Sequence, residues 1–172
     1  IARGGVPVRF GHLSDLTFEV DGAQALLAAL PPAHPVMLLT RFPPRAEVAN
    51  LVAAHKNALL HVSIAPSVPG AIEADVAPEK VIAAVAAVPP EQLFVMFGPL
   101  VQGSEEPLRR LLPALPSGSA VGFKPLAPEG VPFPIGVAPL GEGAVMALAD
   151  EARAYGLDVP PMAGCRLRTN LG

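Results

Sequence analysis

One cysteine, Cys165, no tryptophan and a single tyrosine stand in 172 residues. A lone cysteine excludes an internal disulfide framework and any multi-cysteine metal site built from this chain, and makes a reducing cytoplasm the expected compartment. Charged residues make up only 16% of the chain, with a formal net charge of -3. That balance leaves no basic footprint for nucleic acid or for an anionic membrane surface. No apolar run approaches the roughly 18 residues that a membrane-spanning helix needs. HExxH, paired CxxC, a nucleophile elbow and a glycine-rich phosphate loop are all missing, which removes the commonest hydrolase, zinc and nucleotide signatures. His12, Asp15 and Ser63 have neither the order nor the spacing of a hydrolase triad. The chain opens at Ile1 without an initiator methionine, which points to processing or to a place within a longer polypeptide.

What is present is apolar: 51% of residues are hydrophobic, punctuated by 22 prolines and 16 glycines. Such a chain can bury a core, and its length fits a single domain, residues 1–172. Strand-like Val6–His12 leads to a helical stretch, Gly22–Leu30. "PVMLLT" (Pro35–Thr40) reads as a buried strand before a helix over Arg45–Asn57. "ALLHVSI" (Ala58–Ile64) is a third strand and Ala77–Val88 a third helix. "QLFVMFG" (Gln92–Gly98) is a fourth strand, followed by a helix over Ser104–Leu115. "SAVGFKPL" (Ser119–Leu126) is a fifth strand, Pro134–Leu140 a short strand or loop, and Glu142–Gly156 the clearest helix. Met162–Asn170 reads as a last strand.

Three termini carry chemical signals. Pro78 and Glu79 suit a first helical turn, since proline has no amide to orphan there and an acid complements the dipole. Ser104 before Glu105, Glu106 and Pro107 suits an N-cap, and Gly156 a C-terminal stop. Short apolar strands alternating with helices imply a parallel sheet with covered faces. A complete eight-fold barrel of the TIM type takes about 250 residues. The expected fold class is therefore α/β, a partial (β/α) barrel of about five to seven units.

In parallel α/β folds ligands sit at the carboxyl ends of the strands. The polar residues expected there recur from strand to strand: His12, Ser14 and Asp15; Thr40 and Arg41; His61 and Ser63; Gly98, Gln102 and Ser104; Lys124; then Cys165, Arg166 and Arg168. Polar groups converging on one apolar rim suit a ligand pocket. Each has a plainer alternative. Ser14 and Asp15 could build a turn or cap, His61 could be a hydrogen-bonded interior residue, and Arg41 could be a solvated loop residue. Ser63 shares a face with His61. Lys124, a lone charge in an apolar strand, calls for a ligand or ion-pair partner. Cys165 reads first as a small buried residue, while "CRLR" as an anion site is the alternative. His34 and His55 read as loop and helix-surface residues.

Taken in order, "RFGHLSDLTFE", "PVMLLTRFPP", "LLHVSIAPSVPG", "LFVMFGPLVQGS" and "VGFKPLA" resemble the later strands of radical S-adenosylmethionine (radical SAM) enzymes, in their spore-photoproduct-lyase-like branch. The resemblance covers Val8–Leu126 and implies a cofactor site for S-adenosylmethionine. It places Gly11 to Asp15, with His12 and Ser14, at the methionine amino group, and His61 and Ser63 near ribose and carboxylate. Thr40 and Arg41 fall on the same rim. "FGPLVQG" approaches the adenine through the backbone of Val95 to Gly98, Phe97 included, and Lys124 reaches a carboxylate or the substrate. Cys165, Arg166 and Arg168 would meet an anionic or peptide substrate. The family's Cys-x3-Cys-x2-Cys loop, which holds a [4Fe–4S] cluster through three thiolates, is absent and would lie upstream of Ile1. Metal binding thus belongs to residues outside this sequence.

Two other functions fit the same residues. One is a cluster-free barrel relative acting as a binding or scaffolding partner; the other is an unrelated barrel lyase using Lys124 as a Schiff-base former. A barrel lacking its first strand would also leave an edge beside Val8–Phe10, needing a covering segment or a protein partner.

Overall fold

Largely apolar runs of three to eight residues become the strands of one sheet. A computed structural model describes residues 8–11, 15–69, 76–126 and 137–160. In chain order the elements are β1 (Val8–Phe10), α1 (Val20–Ala29), β2 (Val36–Thr40), α2 (Ala46–Ala54), β3 (Ala58–Ile64) and α3 (Pro78–Val85). They continue as β4 (Leu93–Leu100), α4 (Glu105–Leu111), β5 (Ala120–Pro125) and α5 (Glu142–Ala154), with short 3₁₀ turns at Leu16–Phe18, Pro90–Gln92 and Leu112–Ala114.

All four strand pairings are parallel, and the sheet order is β1-β2-β3-β4-β5. Consecutive parallel strands joined by right-handed crossovers place every connecting helix on the same face. The packing agrees. One apolar cluster joins alternate strand residues, Val36 and Leu38, Leu60 and Val62, Val95 and Phe97, Val121 and Phe123, to Leu27, Val48, Val81, Leu108 and Leu148 of the five helices. A doubly wound sheet would instead reverse its order and carry helices on both faces. The architecture is a partial (β/α) barrel-like one of about five to six units. The sixth begins after α5, where Asp158 bridges Ala120 in parallel and Val121 N–H donates to the Asp158 carbonyl at 2.7 Å.

Local chemistry accounts for the element ends. Pro78 and Glu79 occupy the first turn of α3 as expected. Gly156 takes φ +76°, a left-handed conformation open to glycine at little cost. Its N–H donates to the Arg153 carbonyl at 2.9 Å and that of Leu157 to Ala152 at 3.2 Å, the paired bonds of a Schellman stop. Ser104 departs from expectation. Its hydroxyl makes no cap bond to α4 and instead accepts from Val101 N–H at 3.0 Å, closing the β4–α4 turn. At the other pole the buried Gln92 amide donates toward three carbonyls, those of Val52, His55 and Ala58, at 2.8–2.9 Å, tying β4 to the α2–β3 turn. The expected final strand, Met162–Asn170, and the first three residues of Pro134–Leu140 lie outside the described residues; Pro139 makes one antiparallel bridge, to Val101.

Candidate functional site on the inner face of the sheet

Because side chains alternate across a strand, fixing the helix-facing set also fixes the opposite one. Register carries that inner face from strand to strand in layers. Arg9 lies beside Met37 and Met37 beside Leu59. Leu39, His61, Phe94 and Ala120 form the next layer, and Ser63, Met96 and Gly122 the one above. Lys124 and Gly98 stand at the carboxyl rim. None of these residues belongs to the helix-side cluster, yet Met37 and Phe94 are buried, as the curl of a barrel-like sheet requires. Two glycines make that layer stacking possible. A Cβ on Gly122 would meet Phe94 Cζ at 2.9 Å, and one on Gly98 would meet the Lys124 carbonyl oxygen at 2.7 Å.

His61 is the chemically unusual member. It is 8% exposed, sits edge-on to Phe94 with ring centroids 5.0 Å apart, and neither ring nitrogen has a hydrogen-bond partner among the described residues. Burial, with the Arg9 charge acting in the same direction, pushes its pKa down from 6.5 to about 4. The imidazole is therefore neutral at pH 7, offering one donor and one acceptor in an apolar setting. An unpaired buried polar group costs about 1–3 kcal/mol, which makes this ring a candidate for contact with a bound molecule. The plainer reading, an interior histidine satisfied by hydrogen bonds, is not what the geometry shows.

Asp15 does something different. Its Oδ1 accepts from Thr40 Oγ1 at 2.6 Å and from Thr17 N–H at 3.0 Å, and its Oδ2 from Arg41 N–H at 2.7 Å. The single Thr40 proton goes to the carboxylate, so Thr17 Oγ1, 3.2 Å away, donates to Thr40 Oγ1. Phe42 N–H also donates to Thr40 Oγ1, at 3.0 Å, and the Arg45 guanidinium donates to the Thr17 carbonyl at 2.9 Å. Asp15 thereby caps the 3₁₀ turn and ties the ends of β1 and β2 together. Thr40, 3% exposed, points to the helix side beside Val62 rather than to the inner face.

The other expected site residues divide. Ser63 lies one layer above His61 on the same face, half-buried. Lys124 is exposed at the rim, where water meets the need for a partner that its apolar strand suggested. Arg41 is exposed in the loop after β2. The Phe97 side chain is fully buried against Phe123, centroids 6.1 Å apart, on the helix side. A role for Phe97 at an adenine is thus confined to its backbone. His12, Ser14, Cys165, Arg166 and Arg168 lie outside the described residues. The structure brings His61, Ser63 and Lys124 to one face and joins Asp15 to Thr40 and Arg41 beside it.

Two features escaped the sequence reading. Arg9, between core-facing Val8 and Phe10, falls on the inner face, and the alternation within "VRF" was the available signal. Phe18 is 68% exposed and meets Phe42 edge-on, with centroids 5.5 Å apart, beside the Asp15 network.

Among the described residues no group of three or more His, Cys, Asp or Glu is placed to hold a metal ion, and no helix is long and apolar enough to cross a membrane. A cluster held by three thiolates does not fit a sequence with one cysteine. Comparisons with protein-family models, with curated proteins and with solved structures returned no match to this chain.

Proposed function

We propose that the inner face of this sheet binds S-adenosylmethionine, as the later part of a radical S-adenosylmethionine enzyme's partial barrel. The observation that carries the reading is His61, a neutral imidazole on the face opposite the helices with neither nitrogen paired among the described residues. Around it the apolar side chains of Leu39, Phe94 and Met96 offer a surface for a flat ring, while Ser63 and Lys124 supply a hydroxyl and a cation toward the rim. Apolar walls with few polar groups are the usual make-up of a small-molecule site. The ordered strand motifs from Val8 to Leu126 direct the choice of ligand. Asp15 and Thr40 support that rim by holding the β1 and β2 loops together.

The cofactor's chemistry in that family is hydrogen abstraction from a substrate, and it depends on cluster ligands that this sequence does not contain. The role proposed for these residues is accordingly binding, orientation and exclusion of water.

Isothermal titration of S-adenosylmethionine into the chain tests the proposal, with S-adenosylhomocysteine and adenosine as partial ligands. Saturable binding is expected, weakened about tenfold or more in His61→Leu through loss of a buried hydrogen bond. A folded protein that takes up none of the three ligands overturns it.

A further inference from the structure

We propose that Arg9 and His61 form an oxyanion subsite on the inner face, taking a carboxylate or phosphate group of whatever molecule binds there. The inference rests on the inner face being a binding surface, but not on the identity of the ligand.

Arg9 is the middle residue of a three-residue strand whose other two side chains turn the opposite way, so its stem starts on the inner face beside Met37. It is exposed and makes no salt bridge among the described residues. Its neighbours across the sheet, Met37, Leu39, Leu59 and Phe94, carry no counter-charge. By register the other charges on this face among the described residues are Lys124 at the rim and Asp158 beside Ala120 at the far edge. Register sets Arg9 beside Met37 and Met37 beside Leu59, two residues before His61 on the same face, and the Arg9 charge opposes protonation of that ring.

A guanidinium is permanently charged and presents a planar fork that matches an oxyanion. The imidazole beyond it, more than nine-tenths buried, has an N–H without an acceptor. An oxyanion between them would receive the guanidinium's donors and that N–H, satisfying a donor that has no partner among the described residues. It would also cancel the charge that opposes protonation of the ring. Binding should therefore draw in a proton, and affinity should rise as pH falls toward the His61 pKa.

The probes are inorganic phosphate and acetate, titrated into the folded chain at constant ionic strength and followed through the His61 ring signals by histidine-edited NMR. A saturable shift of His61 and a rise in its pKa are expected, and the stronger of the two probes identifies the class of oxyanion. Arg9→Gln, at an exposed position that the core does not need, should weaken the response about tenfold or more, and Arg9→Lys should keep part of it. No saturable response, or an unchanged one in Arg9→Gln, overturns the subsite. The same variants titrated with S-adenosylmethionine separate the two proposals. Probe binding through Arg9 without cofactor binding sinks the ligand assignment alone. Cofactor binding that ignores Arg9, with no probe binding, sinks the subsite alone.

Discussion

Replacing His61 with leucine should make the protein more stable. The imidazole is 8% exposed, faces Phe94, and has two ring nitrogens without partners among the described residues. Leucine fills a similar volume and removes the unpaired groups, a gain of about 1–3 kcal/mol at pH 7. In a chain of this size each kcal/mol moves the melting temperature by roughly 2–4 °C. The pH dependence is more diagnostic. The folded-state pKa is about 4 against 6.5 for a free histidine, so between those values the unfolded chain binds the proton and the folded one does not. Stability is therefore intact above pH 6.5 and falls as pH drops toward 4. The loss reaches about 3 kcal/mol below that, at about 1.4 kcal/mol per pH unit. Urea melts of wild type and His61→Leu at half-unit steps from pH 7.5 to 4 isolate this contribution, since other groups titrate in both proteins. The variant should show a flatter profile, and the gap between the two should widen as pH falls. A destabilised variant, or parallel profiles, would refute the picture of a desolvated and unpartnered ring.

Asp15→Ala should cost about 2–3 kcal/mol in urea melts, because the buried Thr40 hydroxyl and the Arg41 and Thr17 amides lose their acceptor together. Gln92→Ala should cost about 1–3 kcal/mol by stranding the carbonyl of Ala58, while that of Val52 keeps the His55 N–H, and Gln92→Glu should cost more, since a carboxylate would face three carbonyl oxygens. Gly98→Ala should be worse than Gly122→Ala, by roughly 1 kcal/mol or more. The first drives a methyl into the Lys124 backbone, whereas the second meets the movable ends of Phe94 and Met96. Thermal melts of the two variants side by side decide it.

The fold was legible because its strands are apolar runs that pack on both faces, and because Pro78, Glu79 and Gly156 signal helix ends through local chemistry alone. Ser104 shows where such signals stop. A serine hydroxyl can serve either a helix start or the preceding turn, and here it takes the N–H of Val101, three residues back in that turn. The candidate site was half legible. His61 and Ser63 share a face by simple alternation, and both fall inside the sheet. Thr40 and Asp15, expected at a cofactor, bond to each other and to the loops of β1 and β2, a long-range closure no local pattern encodes. At Phe97 parity divides side chain from backbone, since one residue along β4 separates the helix side from the inner face. Arg9 was hidden because the strand that displays it is only three residues long.

The inner face as a ligand site is tested most directly by the ring signals of His61, His34 and His55 during titration with S-adenosylmethionine. His34 and His55 flank the amino ends of β2 and β3, away from the carboxyl rim, and serve as internal controls. The prediction is a saturable shift confined to His61 within that set. A ligand that binds while leaving His61 unmoved, or that shifts His34 and His55 instead, contradicts it.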